Sequence, residues 1–234
     1  MSLLNKKYLI SGCGISWSGQ ERKTWVNICK AAGAKITDVG GPAVSNQWIL
    51  NKTILETISN SYHGVVVQLT SLSKLDVEIN DERFNELVAN DSLRNFTYQG
   101  IWPSSSSDEH PSKKLYNKWL VSPGLEIEDI VCKLVLLKSY CDSKGISLHV
   151  LQGYPIPWTE NQKLIIGSIV NNLDNDLYSS YRNSDHYQFH DHSNSVPCLS
   201  YQFSLAQQVA ENCFPVLLDK IKHILAKQPD NVLK

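Results

Sequence analysis

Tyr8-Leu9-Ile10-Ser11-Gly12-Cys13-Gly14-Ile15-Ser16-Trp17 is the stretch that decides the fold. A short apolar run enters a Gly-rich turn, and an amphipathic segment follows from Gln20 to Ala32. That order predicts the opening strand, loop and helix of an α/β fold, in which such turns carry the functional site. The centre of this turn is Gly14, with Ser11, Ser16, Ser18 and Cys13 to either side.

Working outward, Gly33 is the expected stop of the first helix, and Lys35–Val39 reads as a second strand. After the turn Gly40-Gly41-Pro42-Ala43, Ser45 or Asn46 is placed to cap a helix with apolar residues Ile49, Leu50, Ile54, Leu55 and Ile58 at helical spacing. Gly64–Leu69 (GVVVQL) has the continuous apolar character of a strand buried on both faces. From Leu125 an acidic first turn, an apolar stripe and a terminal Gly145 predict a long helix. Ile146–Leu151 follows as a strand, Asn161–Asn172 as a helix, and Tyr201–Ala226 as a C-terminal helix interrupted at Pro215. Strands alternating with helices imply a parallel sheet covered on both faces. Two regions break the rhythm: an insertion at about 71–124, rich in aromatic residues, and the polar stretch Tyr178–Pro197, rich in His, Asn and Ser. The expectation is one domain over residues 1–234, with about five strands and the insertion after the third.

Composition excludes several classes. The 234 residues are 42% hydrophobic and 19% charged, as in globular proteins with a packed core. A formal net charge of -1 supplies no field for nucleic acid or an anionic membrane surface, and it permits homo-oligomerisation. No apolar run approaches the roughly 20 residues that span a bilayer. Met1–Lys7 is polar and leads straight into the first strand, so no signal peptide is expected. The six cysteines lack any C-x-x-C pair, which predicts free thiols in a reducing, cytoplasmic setting.

The order of motifs resembles the SGNH (GDSL-type) hydrolase superfamily, in particular its bacterial and phage-encoded members. The matching pieces are Ile10-Ser11-Gly12-Cys13-Gly14, then Pro42-Ala43-Val44-Ser45-Asn46 followed by Ile49. Val67-Gln68-Leu69-Thr70-Ser71 and Val196-Pro197-Cys198-Leu199 complete the set. The resemblance implies a three-layer α/β/α, flavodoxin-like fold. In that superfamily a serine directly after the first strand attacks an ester, and a histidine before the last helix takes its proton. An aspartate three residues earlier assists. The serine amide, a glycine amide and an asparagine side chain stabilise the oxyanion. Here the serine position is Gly14, the second-block glycine is Ala43 and the asparagine position falls on Ser71. Aligned through Pro197, the histidine is Val196 and the aspartate is Ser193. Glycine carries no nucleophile and valine cannot shuttle a proton. Removing triad members costs several orders of magnitude in rate.

Competing readings use other residues. A displaced pair, Ser16 with His192 supported by Asp191, would restore an esterase or carbohydrate O-deacetylase. Cys13 is a second candidate nucleophile, set against a purely structural cysteine. Asp185, His186, His190, Asp191 and His192 hold metal-ligand types, but no helical H-x-x-x-H spacing supports a metal, and none is expected. Asp76, Glu78, Asp81, Glu82 and Glu86 read as a solvated helix face rather than an acid–base pair. Cys13, Asn46, Thr70 and Trp102 are candidate pocket residues, and the aromatic set around Trp102 and Tyr154 suits either packing or sugar stacking. The reading that follows is a degenerate hydrolase fold without a cofactor. It would bind a protein partner, or a carbohydrate or ester ligand, as an accessory or structural component, virion-associated in a viral setting.

Overall fold

A computed structural model describes residues 6–13, 24–41, 44–72, 75–78, 98–101, 123–171, 173–184, 199–213 and 215–227. In chain order the elements are β1 (Lys7–Ser11), α1 (Trp25–Ala31), β2 (Lys35–Asp38), α2 (Asn46–Ser59) and β3 (Gly64–Leu69). They continue with β4 (Leu75–Glu78), β5 (Tyr98–Ile101), α3 (Pro123–Lys144), β6 (Ser147–Gln152), α4 (Glu160–Ile166) and β7 (Val170–Asn171). The last are α5 (Leu177–Arg182), α6 (Leu199–Cys213), a 3-10 turn (Pro215–Leu217) and α7 (Leu218–Ala226).

Five strands form one parallel sheet in the order β2-β1-β3-β6-β7. The chain leaves β1 to one side for β2 and then crosses back to place β3 on the other. The strand order therefore reverses between β1 and β3, and the crevice at their carboxyl ends is the natural site of such a sheet. All six residues of β3 are buried, which is why its sequence runs apolar without alternation.

Alternation along β1 feeds two cores. Leu9 joins Val65, Val67 and Val150 beneath α2, α3 and α4, against Ile49, Leu50, Leu134, Leu137 and Ile166. Ile10 and Val66 face the other layer, against Trp25, Cys29, Tyr181, Phe203, Ala206 and Ile221. These are the two helical layers that the α/β pattern requires. Gly33 (φ +102°) and Gly145 (φ +65°) end α1 and α3 in the left-handed region, as their positions in the sequence predict.

Several expected boundaries move. Thr24 is extended, so α1 starts at Trp25 rather than Gln20. The helix expected over Asn161–Asn172 stops at Ile166, where Gly167 caps it, and Val170–Asn171 turns in beside β6 to make the edge strand β7. The stretch beginning at Tyr178, expected to be irregular, opens as α5: the Asp176 carboxylate accepts from the Ser179 N–H at 2.8 Å, and Leu177 and Tyr181 bury one face. Within the insertion, β4 and β5 pair antiparallel in a separate ribbon. Asp76 and Glu78 thus lie on a strand, not on a helix face, and Asp81, Glu82 and Glu86 lie outside the described residues. Pro215 interrupts the C-terminal helix as its missing N–H demands.

Candidate functional site

The carboxyl ends of β1, β3 and β6 meet at the reversal of strand order, and each delivers a polar side chain that the fold engages. Ser11, fully buried, donates to the Ile49 carbonyl at 3.4 Å. Gly12 follows, its carbonyl accepting from the Gly41 N–H at 3.0 Å, which ties the first turn to the second. Cys13 is 1% exposed, and its sulfur accepts from the Gln68 side-chain amide at 3.5 Å.

Asn46 closes the floor. Its Nδ2 donates to the Thr70 carbonyl at 2.9 Å while its Oδ1 accepts from the Thr70 N–H at 2.7 Å, with the side chain fully buried. This reciprocal pair fastens the start of α2 to the backbone just past β3. Beside it Ser45 caps α2 by accepting from the Trp48 N–H at 3.1 Å. Thr70 is itself fully buried, and its hydroxyl has no hydrogen-bond partner among the described residues. Ser71, at the family's asparagine position, is half-buried.

On the β6 side, Gly153 is wedged between strands. Its N–H donates to Leu69 at 2.9 Å and its carbonyl accepts from Tyr178 at 3.0 Å. A Cβ there would stand 2.4 Å from both the Gln68 amide and the Leu69 carbonyl, so only glycine fits. Tyr154 stacks on Tyr178 with ring centroids 5.1 Å apart, and Arg182 lies 5.9 Å above the Tyr178 ring. Burial, reinforced by Cys13, Tyr178 and Asp176, pushes the Tyr154 hydroxyl above its ordinary value. The nearby carboxylates serve the backbone: Asp38 accepts from the Gly40 N–H at 2.9 Å, and Asp176 caps α5.

Of the residues singled out in the sequence, Cys13, Asn46, Thr70 and Ser71 stand at this edge. Gly14, Ser16, Ala43, Trp102, Asp191, His192 and Val196 lie outside the described residues. Among the described residues no group of three or more His, Cys, Asp or Glu side chains is placed to hold a metal. Gln68, Gly153 and Tyr178 escaped the sequence reading. A glutamine inside an apolar strand was the available signal for the first; the other two had none.

The sheet order, with helices on both faces, makes a three-layer α/β/α fold, and the solved structures it resembles make that fold SGNH-hydrolase-like (GDSL-type). The structure is similar to that of TesA, at 10% identity, with 90% of this chain and 99% of TesA covered and a TM-score of 0.50. Similar at lower scores are a catalytic mutant of Axe2, an acetylxylan esterase from Geobacillus stearothermophilus (12% identity, 88% and 93% covered, TM-score 0.47), and the psychrotrophic esterase EstA from Pseudoalteromonas sp. (12%, 95% and 98%, 0.41). No protein-family model and no curated protein matches the sequence. No helix among the described residues is long and apolar enough to cross a membrane.

Proposed function

We propose that this protein uses a hydrolase fold for binding rather than ester cleavage. Its ligand is a carbohydrate, an ester or a protein segment seated over the carboxyl edge of the sheet, and its role is that of an accessory or structural component. The observation that carries the reading is the pairing of Gly14 with Val196, at the positions where the superfamily places its nucleophile and its base. The surrounding geometry supports it. Ser11 and Cys13 are buried and hydrogen-bonded, and Asn46 holds backbone rather than facing a substrate.

The test is hydrolysis of p-nitrophenyl acetate and of an acetylated sugar by the purified chain, beside Ser16→Ala and His192→Ala. Turnover at the uncatalysed background in all three is the expected result. Robust turnover that disappears in Ser16→Ala and His192→Ala would overturn the proposal and assign an esterase built on Ser16, His192 and Asp191.

A further inference from the structure

The two helical layers differ in what they show to solvent. Among the described residues, every large apolar side chain that stands exposed lies on α2, α3 or α4. Leu55 and Ile58 are on α2, Leu125, Val135 and Leu136 on α3, and Leu164 and Ile165 on α4. Among the described residues, the opposite layer of α1, α5, α6 and α7 exposes none. The three helices are neighbours, with α3 packed between α2 and α4. Exposures from 39% to 84% leave apolar surface on the order of several hundred Å² across the three helices.

The outward face of α3 has a period. Among its exposed positions, Leu125, Glu128, Cys132, Val135, Ser139 and Asp142 recur in steps of three and four, with Leu136 exposed beside Val135. That spacing is the 3.5-residue seam geometry of paired helices, here apolar at Leu125, Cys132 and Val135 and polar at Glu128, Ser139 and Asp142. Twenty-two residues make α3 about 33 Å long, enough for such a seam at 1.5 Å per residue.

We infer that this layer is the interface of a homodimer, with α3 packed antiparallel against α3 of a second copy. The seam maps onto itself when reversed about its midpoint. Cys132 then meets the partner's Val135, Glu128 meets the partner's Ser139, and Leu125 meets the partner's Asp142, so no like charges face each other. A parallel pairing would instead set each acidic residue against its own image. Leu55, Ile58, Leu164 and Leu136 extend the apolar contact toward the roughly 800 Å² per partner that a stable interface needs.

The charges on this layer favour a copy of the chain over a lipid surface. Lys133 pairs with Asp129 at 2.6 Å, Lys138 with Asp142 at 2.6 Å, and Lys163 with Glu160 at 3.0 Å. A membrane-binding face carries unneutralised lysines around its apolar stripe. Here Lys52 and Lys144 lie 5.9 Å over the Trp48 and Tyr140 rings, and the lysines of α2, α3 and α4 do not outnumber the carboxylates, which leaves no positive field to attract anionic lipid.

Sedimentation equilibrium of the full chain across the micromolar range tests this. We expect a mass twice the 26.4 kDa of one chain. Val135→Lys should weaken the dimer about 100-fold, as an interface-centre substitution does, Leu136→Glu beside it should also weaken it, and Glu211→Lys on α6 should leave it unchanged. A short bismaleimide should link wild-type subunits through the exposed Cys132 and fail in Cys132→Ser. A monomeric wild type, or a dimer that survives both Leu136→Glu and Val135→Lys, overturns the inference. So does a monomeric wild type that Leu136→Glu unfolds, which would assign the face to this chain's own residues.

Discussion

Asn46 carries more of the site's architecture than any other single residue. Its amide satisfies both the N–H and the carbonyl of Thr70, a task that needs one donor and one acceptor at fixed separation. Leucine in its place would leave two buried backbone groups unpaired, at about 1–3 kcal/mol each. We expect Asn46→Leu to lose about 2–5 kcal/mol in urea unfolding. Asn46→Asp should also destabilise, because a carboxylate can accept from Thr70 but cannot donate to it. A stability within experimental error of wild type would show that Thr70 finds other partners. The asparagine was visible in the sequence as a helix-start residue. Its partner was not, because Thr70 lies 24 positions away and only the α2–β3 crossover brings them together.

Helix α1 shows how one element depends on another. Thr24 at its N-cap makes no side-chain hydrogen bond to the helix, and its hydroxyl is buried without a partner among the described residues. The Trp25 N–H is bound instead by the Gln202 Oε1 at 2.9 Å, from the first turn of α6. The start of α1 is thus capped by a residue 177 positions distant. Gln202→Met keeps the volume and removes the acceptor, so we expect a loss of about 1 kcal/mol and faster amide exchange in the first turn of α1. Unchanged stability together with unchanged exchange would refute the cap. The sequence placed both helices correctly by period, yet it set the start of α1 at Gln20. An N-cap supplied from another helix leaves no local signature.

Titration is a property of the whole molecule. Burial pushes the thiols of Cys29 and Cys213 up to about 12, Cys141 to about 11 and the Tyr201 hydroxyl to about 12. The unfolded chain releases these protons from its ordinary values of 9.0 and 10.0. It therefore binds fewer protons than the fold above pH 9, and stability falls as pH rises from 9 toward about 12. His149 has the opposite arrangement. Burial lowers its value below 6.5, so the unfolded chain takes up the proton first and stability is lost as pH drops below 6.5. Thermal unfolding measured against pH should show a plateau between these limits with declines on both sides. A flat profile from pH 9 to 11 would contradict the burial of these thiols.

The sequence by itself determined β1, β2, β3 and β6 and the helices between them, the stops at Gly33 and Gly145, the break at Pro215 and the parallel sheet with its insertion. Each is encoded locally, in a period of two or 3.6 residues or in the backbone limits of glycine and proline. Tertiary structure decided the rest. Val170–Asn171 became an edge strand because β6 offered open backbone groups beside it. Tyr178 entered the site because α5 folds back onto Gly153, whose missing side chain leaves room for Gln68. Asn46 became a fastener, and not a surface polar group, because the reversal of strand order puts α2 over the end of β3. These outcomes rest on contacts between residues far apart in the chain, and no local pattern carries that information.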